Sequence, residues 1–232
     1  MKKKLALLMV MTTVLLAACG KTEPAVNQDE TGSSVAESSQ ETTQSSEEVV
    51  EPEAKAYVPG TYTDNKYEST YVGYTFTAPE GCTFMSPEEL AAENGIDADT
   101  FAAGGEALET YYEQASNIID FNASMESGAS VYMNVAQMLT HDITLEEYTQ
   151  VILGELTSMT DMTCTLLEEA KVVQFMGREC TEALVSIEME GITLYQKYFM
   201  FVEPTYTGTI TVTYADGMEA EKDALIAGFA AN

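Results

Sequence analysis

The stretch Tyr71-Val72-Gly73-Tyr74-Thr75-Phe76-Thr77-Ala78, closed by Pro79-Glu80-Gly81, decides how the rest of the chain is read. Aromatic and β-branched side chains dominate it, which suits a pleated, half-buried surface, and Pro-Glu-Gly then turns the chain. A strand is expected over 71–78. Next comes Ser86-Pro87-Glu88-Glu89, with a capping serine, a proline at the first helical position and a glutamate placed to close a capping box. With Gly95 as the stop, a short helix over 87–94 follows.

Residues 96–110 stay ambiguous, because Gly104-Gly105 interrupts a stretch that would otherwise read as helical. Period two then returns. Ile119, Phe121 and Ala123 alternate with Asp120 and Asn122, and past a turn at Ser127-Gly128, Val131, Met133 and Val135 alternate with Tyr132 and Asn134. Two strands joined as a hairpin are expected. Thr144-Leu145-Glu146-Glu147 is a second capping box, and Leu145, Tyr148, Ile152 and Leu156 recur at helical spacing. A helix over 145–158 is expected, its apolar stripe facing a core.

Four strands follow in expectation, over 170–175, 179–189, 192–202 and 209–214, with turns at Met176-Gly177 and Glu190-Gly191. In the last of them Ile210, Val212 and Tyr214 share one face, and Thr209, Thr211 and Thr213 the other. A closing helix from about Met218 carries Leu225, Ile226 and Phe229. Short connections favour antiparallel neighbours, so the order describes an α+β domain: an antiparallel β-sheet with helices packed on it.

The run 71–76 with Pro79-Glu80-Gly81 resembles the opening strand of PsbP-like and DcrB-like domains. So does the later order of a long helix, a strand, a turn carrying Gly177, and further strands ending in a helix. The resemblance covers most of 56–232. Where the family pattern continues with tryptophan after the glycine, this chain has Cys82. The resemblance implies a PsbP-like α/β/α sandwich with binding or accessory roles, often in exported lipoproteins, and no shared catalytic set.

Upstream, Lys2, Lys3 and Lys4 precede an almost wholly apolar run over 5–18 that ends Leu16-Ala17-Ala18-Cys19. As a helix that run reaches only ~21 Å, against a hydrocarbon core of ~30 Å, so it reads as a cleaved leader and not as a span. The Leu-Ala-Ala-Cys ending looks like a bacterial lipobox. It predicts a lipoprotein signal peptide over 1–18 and diacylglyceryl attachment, with palmitate-type acyl chains, at Cys19. Two acyl chains hold a protein stably on a membrane. Residues 20–55 are rich in Ser, Thr, Glu and Gln and contain no aromatic residue, a composition that cannot offset its ordering entropy. They read as a tether spanning ~35 Å. The organisation is thus a leader over 1–18, a lipidated cysteine and acidic tether over 19–55, and one domain over 56–232, outside the cytoplasm on the cell membrane.

The chain has 38 acidic and 10 basic residues and a formal net charge of −28, and losing Lys2, Lys3 and Lys4 makes the mature form more acidic still. Nucleic acid and anionic lipid headgroups are poor partners for such a surface, and cationic peptides, metal ions or polycationic surfaces are electrostatically allowed, but solubility is the favoured reading of the charge. After lipidation three cysteines remain, Cys82, Cys164 and Cys180, and Cys164 with Cys180 is the pair closest in sequence for one disulfide; three thiols is the other reading.

Candidate chemistry is thin. His141 is the single histidine, which removes multi-imidazole metal sites, and its place beside Asp142 before a helix reads as loop. Glu182 and Glu188 share a side of one strand with Ser186, as a carboxylate pair could, but a solvated face gives the same pattern. Asp97-Ala98-Asp99 offers two oxygen ligands without the glycine of a calcium loop. Tyr195, Lys197 and Phe199 share a strand face that fits either a ligand groove or packing.

These observations favour a non-enzymatic binding or accessory domain for a protein, peptide or small ligand, with no cofactor. A carboxylate-dependent hydrolase and a calcium-stabilised surface domain are the alternatives.

Overall fold

The computed structural model describes residues 56–108, 111, 117–137, 143–159, 162–189 and 191–232. Cys19, the leader, the tether and His141 lie outside the described residues.

The described chain forms two antiparallel sheets and a few helices. Strands β1 (Thr61–Thr63), β2 (Lys66–Ser69), β3 (Tyr74–Thr77) and β11 (Phe229–Ala231) make a four-stranded sheet in the order β1-β2-β3-β11. The larger sheet comprises β4 (Cys82–Phe84), β5 (Ile118–Met125), β6 (Ser130–Gln137), β7 (Thr163–Phe175), β8 (Arg178–Met189), β9 (Ile192–Val202) and β10 (Tyr206–Ala215). Its order is β4-β5-β6-β10-β9-β8-β7. Four helices are described over their whole length: α1 (Pro87–Glu93), α2 (Ala98–Ala103), α3 (Leu145–Ser158) and α4 (Glu219–Ala227).

The strand order dictates the packing. The chain leaves β6 inside the sheet, travels through α3 to the far edge at β7, and meanders back until β10 pairs with β6. The returning helix lies across one face of the sheet. Tyr148, Ile152 and Leu156, at helical spacing on α3, bury against Ala183, Val185, Ile187, Tyr198 and Met200. The aliphatic side chains among them, Ile152, Leu156, Val185, Ile187 and Met200, each contribute ~1.5–3 kcal/mol when fully buried. The opposite face carries Phe121, Val131, Met133, Ile210, Val212 and Phe201 into a second, larger core shared with Tyr67, Tyr74 and Phe76 of the small sheet.

Both capping boxes form. Ser86 Oγ accepts from the Glu89 N–H at 3.2 Å and Glu89 Oε2 from the Ser86 N–H at 3.0 Å. Thr144 and Glu147 do the same at 3.2 and 2.9 Å. The Thr face of β10 is buried under the α3 side, and Tyr148 OH lies 2.8 Å from Thr209 Oγ1.

Five expectations are corrected. The closing helix ends at Ala227, so Phe229 is not on it but in β11, opposite Phe76 of β3. The strand over 71–78 begins only at Tyr74. Gly73, at φ +80°, donates its N–H to Ser69 O at 2.9 Å, so residues 70–73 turn and β2 pairs back on β3. The small sheet that results was not anticipated. Strand β7 starts at Thr163 and not at 170; it is an edge strand with two register shifts, so its exposed sequence lacks alternation.

Asp120 does not simply alternate with its neighbours, because the β5–β6 register shifts between Ile119 and Phe121 and leaves it as the extra residue of a bulge. Finally, Cys164 and Cys180 do not bridge. Cys164 pairs with Ile187 and Cys180 with Val173 at distant points of the β7–β8 ladder, and they pack into the two different cores on opposite faces of the sheet. A disulfide needs Cα atoms within ~7 Å. All three cysteines of the domain are free thiols.

Candidate functional site

Two places concentrate polar or uncovered groups, and they lie on opposite faces of the large sheet. The first is Asp120. The bulge in β5 turns it inward and it is fully buried. Its carboxylate accepts hydrogen bonds from Tyr57 OH at 2.6 Å and Tyr74 OH at 2.8 Å, and its backbone carbonyl accepts from Tyr67 OH at 2.8 Å. These tyrosines come from the entry segment, β3 and β2, so one residue of the large sheet holds three elements packed on it.

Burial pushes the Asp120 carboxyl above the usual range, and hydrogen bonds from Tyr57, Tyr74, Tyr67 and Ser69 offset part of that shift. Burial, with the nearby Asp120 charge, also raises the Tyr67 and Tyr74 hydroxyls well above their ordinary range. Around it Phe121 stacks on Tyr67 at 5.3 Å and lies 5.0 Å from Phe76. Asn94, which caps α1, clamps the strand beside the bulge. It accepts from the Ile119 N–H at 2.7 Å and donates to Ile119 O at 3.0 Å. The carboxylate is sealed and fully engaged, which makes it a tie between layers.

The second place is open. Between the outer flank of α3 and the β7 edge runs a groove of about 870 Å³. The helix supplies Leu145, Leu153 and, at the rim, Glu146; the sheet supplies Leu166, Ala170, Val172, Glu169 and Glu179. Its existence follows from the crossover. A single helix covers β8 and β9 and reaches β7 only through Cys164 and Ala170, so among the described residues the α3-facing side of β7 stays uncovered at Leu166 and Val172. Val172 is consequently 62% exposed and Leu166 39%. Thr144, Thr149, Thr157 and Thr181, with Gln150, add uncharged polar groups to the lining.

The residues singled out from the sequence fall elsewhere. Glu182 does face away from α3, but it binds Lys197 at 2.9 Å and Lys171 at 3.1 Å. Its burial opposes the charge, the two ammonium groups outweigh it, and the carboxyl is held below the usual range. It therefore forms an ion triad and not a pair with Glu188. Asp97 caps α2, accepting from the Thr100 N–H at 2.9 Å. Among the described residues no group of three or more His, Cys, Asp or Glu is placed to hold a metal ion. Phe199 stacks on Phe175 at 4.2 Å, Tyr195 on Tyr214 at 5.5 Å, and Lys197 lies over Phe199, so that strand face is packing. None of the groove residues was singled out in advance for binding, and Leu145, expected in the core-facing stripe of α3, lines the groove instead. The available signal was Leu166-Leu167 and Val172-Val173 among polar neighbours, apolar residues with no regular period to bury them.

No protein-family model matches the chain, and no curated protein sequence matches it. Among solved structures it is similar to the solution structure of cyanobacterial PsbP (CyanoP) from Synechocystis sp. PCC 6803, at 13% identity and a TM-score of 0.47, covering 72% of this chain and 91% of that one. It is also similar to the crystal structure of LpqN, involved in cell envelope biogenesis of Mycobacterium tuberculosis. There the identity is 10% and the TM-score 0.43, covering 68% of this chain and 82% of that one. Among the described residues, no helix is long and apolar enough to cross a membrane.

Proposed function

We propose that this chain is an extracytoplasmic lipoprotein, anchored through acyl chains on Cys19, whose 56–232 domain is a non-enzymatic binding module with the α3–β7 groove as its binding surface. The observation that carries this reading is the uncovered apolar floor of the groove. Large side chains at Leu166 and Val172 stay in water on a body whose other face is closed by a second sheet. Contiguous apolar surface of that kind marks interaction sites more often than chance. The Leu-Ala-Ala-Cys ending and the Glu-rich tether supply the address and the reach.

The test places a photo-crosslinking amino acid at position 172 of the full chain, with position 68 on the small sheet as control, in cells that process the leader. Crosslinked product from 172 but not from 68, on protein whose intact mass includes diacylglycerol at Cys19, supports the reading. Product from both positions or from neither overturns the groove assignment. An unlipidated mature chain overturns the anchor.

A further inference from the structure

We infer that the occupant of the α3–β7 groove is a basic, apolar polypeptide segment of a partner protein; this rests on the groove being the binding surface. The floor is apolar, formed by Leu153, Leu166 and Val172, and the charged groups at its rim are Glu146, Glu169 and Glu179. Among the described residues no lysine or arginine lines it. The nearest base in sequence, Lys171, lies between Ala170 and Val172 but pairs with Glu182 on the opposite face of the sheet, 3.1 Å away, so it does not neutralise the rim. A segment that lays leucine- or valine-like side chains on the floor sets lysines or arginines against those carboxylates. Such charge complementarity fixes register and speeds encounter.

Other occupants fail on charge. The chain's own 20–55 stretch is rich in glutamate and meets like charge in the groove. A second copy has little to offer. The domain's bases are Lys66, Lys171, Arg178, Lys197 and Lys222, and the last four already sit in ion pairs. The two register shifts in β7 also disrupt the regular edge that a second copy would need for strand-to-strand pairing. Anionic lipid is repelled by the same carboxylates.

The test uses the complete mature chain, produced without acyl chains, and short synthetic peptides followed by fluorescence anisotropy at several salt concentrations. One peptide alternates leucine with lysine, one leucine with glutamate, and one serine with lysine. The leucine/lysine peptide is expected to bind saturably. Val172→Ser with Leu166→Ser should weaken it about tenfold, as loss of a central anchor does. The triple variant Glu146→Gln, Glu169→Gln, Glu179→Gln should weaken it by a similar factor and flatten its salt dependence.

A matched triple of exposed acids elsewhere, Glu68→Gln, Glu88→Gln, Glu126→Gln, should leave affinity unchanged. Thermal melting of each variant reports that the fold is intact. If the distant triple weakens binding as much as the rim triple, or if serine/lysine binds as well as leucine/lysine, diffuse attraction explains the result and the inference falls. If leucine/glutamate binds in a Val172-dependent way and leucine/lysine does not, the groove reading stands and the basic partner is wrong. If no peptide binds in a Val172-dependent way, the inference is overturned.

Discussion

The two faces of the seven-stranded sheet use the same strands for opposite ends. Toward the small sheet, Phe121, Phe76, Tyr67 and Tyr74 interlock around a buried carboxylate and are themselves fully buried. Toward α3, one helix covers part of the surface and stops, leaving Leu166 and Val172 uncovered beside three glutamates. The contrast separates the work of the molecule. Both faces have a buried core, the larger on the closed face, and the uncovered strip beside α3 is where change costs little stability and alters what the protein can hold.

The sharpest way to break the contrast is Phe121→Ala. Removing a fully buried ring at the junction of both sheets is expected to cost about 3–5 kcal/mol, read as a shift of the denaturation midpoint at unchanged slope. A loss below ~1 kcal/mol would place the core's weight elsewhere.

Next in size is Asp120→Ala, which strands the Tyr57 and Tyr74 hydroxyls without their acceptor and should cost about 1–3 kcal/mol for each one left unsatisfied. Asp120→Asn sharpens the point through pH. The native carboxyl titrates above its unfolded value, so between the two the folded state holds the extra proton. Stability from this group is fully present below the usual aspartate range and is lost as pH rises through the raised value. The Asn variant should lack that falling limb in chemical denaturation run across pH; the same limb in both proteins would acquit Asp120.

Smaller again are the caps. Ser86→Ala and Thr144→Ala should each cost about 1 kcal/mol. Hydrogen bonds from the Ser86 and Thr144 backbones hold Glu89 and Glu147 below the usual range. Their contribution has the opposite sign to that of Asp120: present above the unfolded value, lost as acid protonates them. Helical circular dichroism against pH checks this, and helicity unchanged by acid would contradict it. Smallest is Val172→Ser, expected within about 0.5 kcal/mol of the parent because that side chain is already in water. A thermal melt settles it, and a large loss would mean the groove floor is core.

Much of the closed face and of α3 was legible because its signals are local. Two capping boxes announce α1 and α3, and alternation with turn glycines announces β8 to β10. The small sheet was missed for a local reason too. Strands β1 and β2 are short and largely polar, and the signal between them was Asp64-Asn65, with Asp64 at φ +50°, a tight hairpin turn. Asp120 was misplaced because a bulge breaks the period that pattern reading depends on. Of the groove only the aperiodic apolar pairs Leu166-Leu167 and Val172-Val173 were legible, and not their place. The groove exists only because the crossover sets α3 beside an edge strand far along the sheet, and neither element carries a sign of the other.

The most direct test of this division is native-state hydrogen exchange on the chain, with and without the leucine/lysine peptide. Amides of β3 and β5 should exchange only through global unfolding, whereas those of β7 open locally at much lower cost, and the peptide should slow β7 and α3 alone. Protection in β7 equal to that in β5, or peptide protection falling on β1 to β3, would contradict the account.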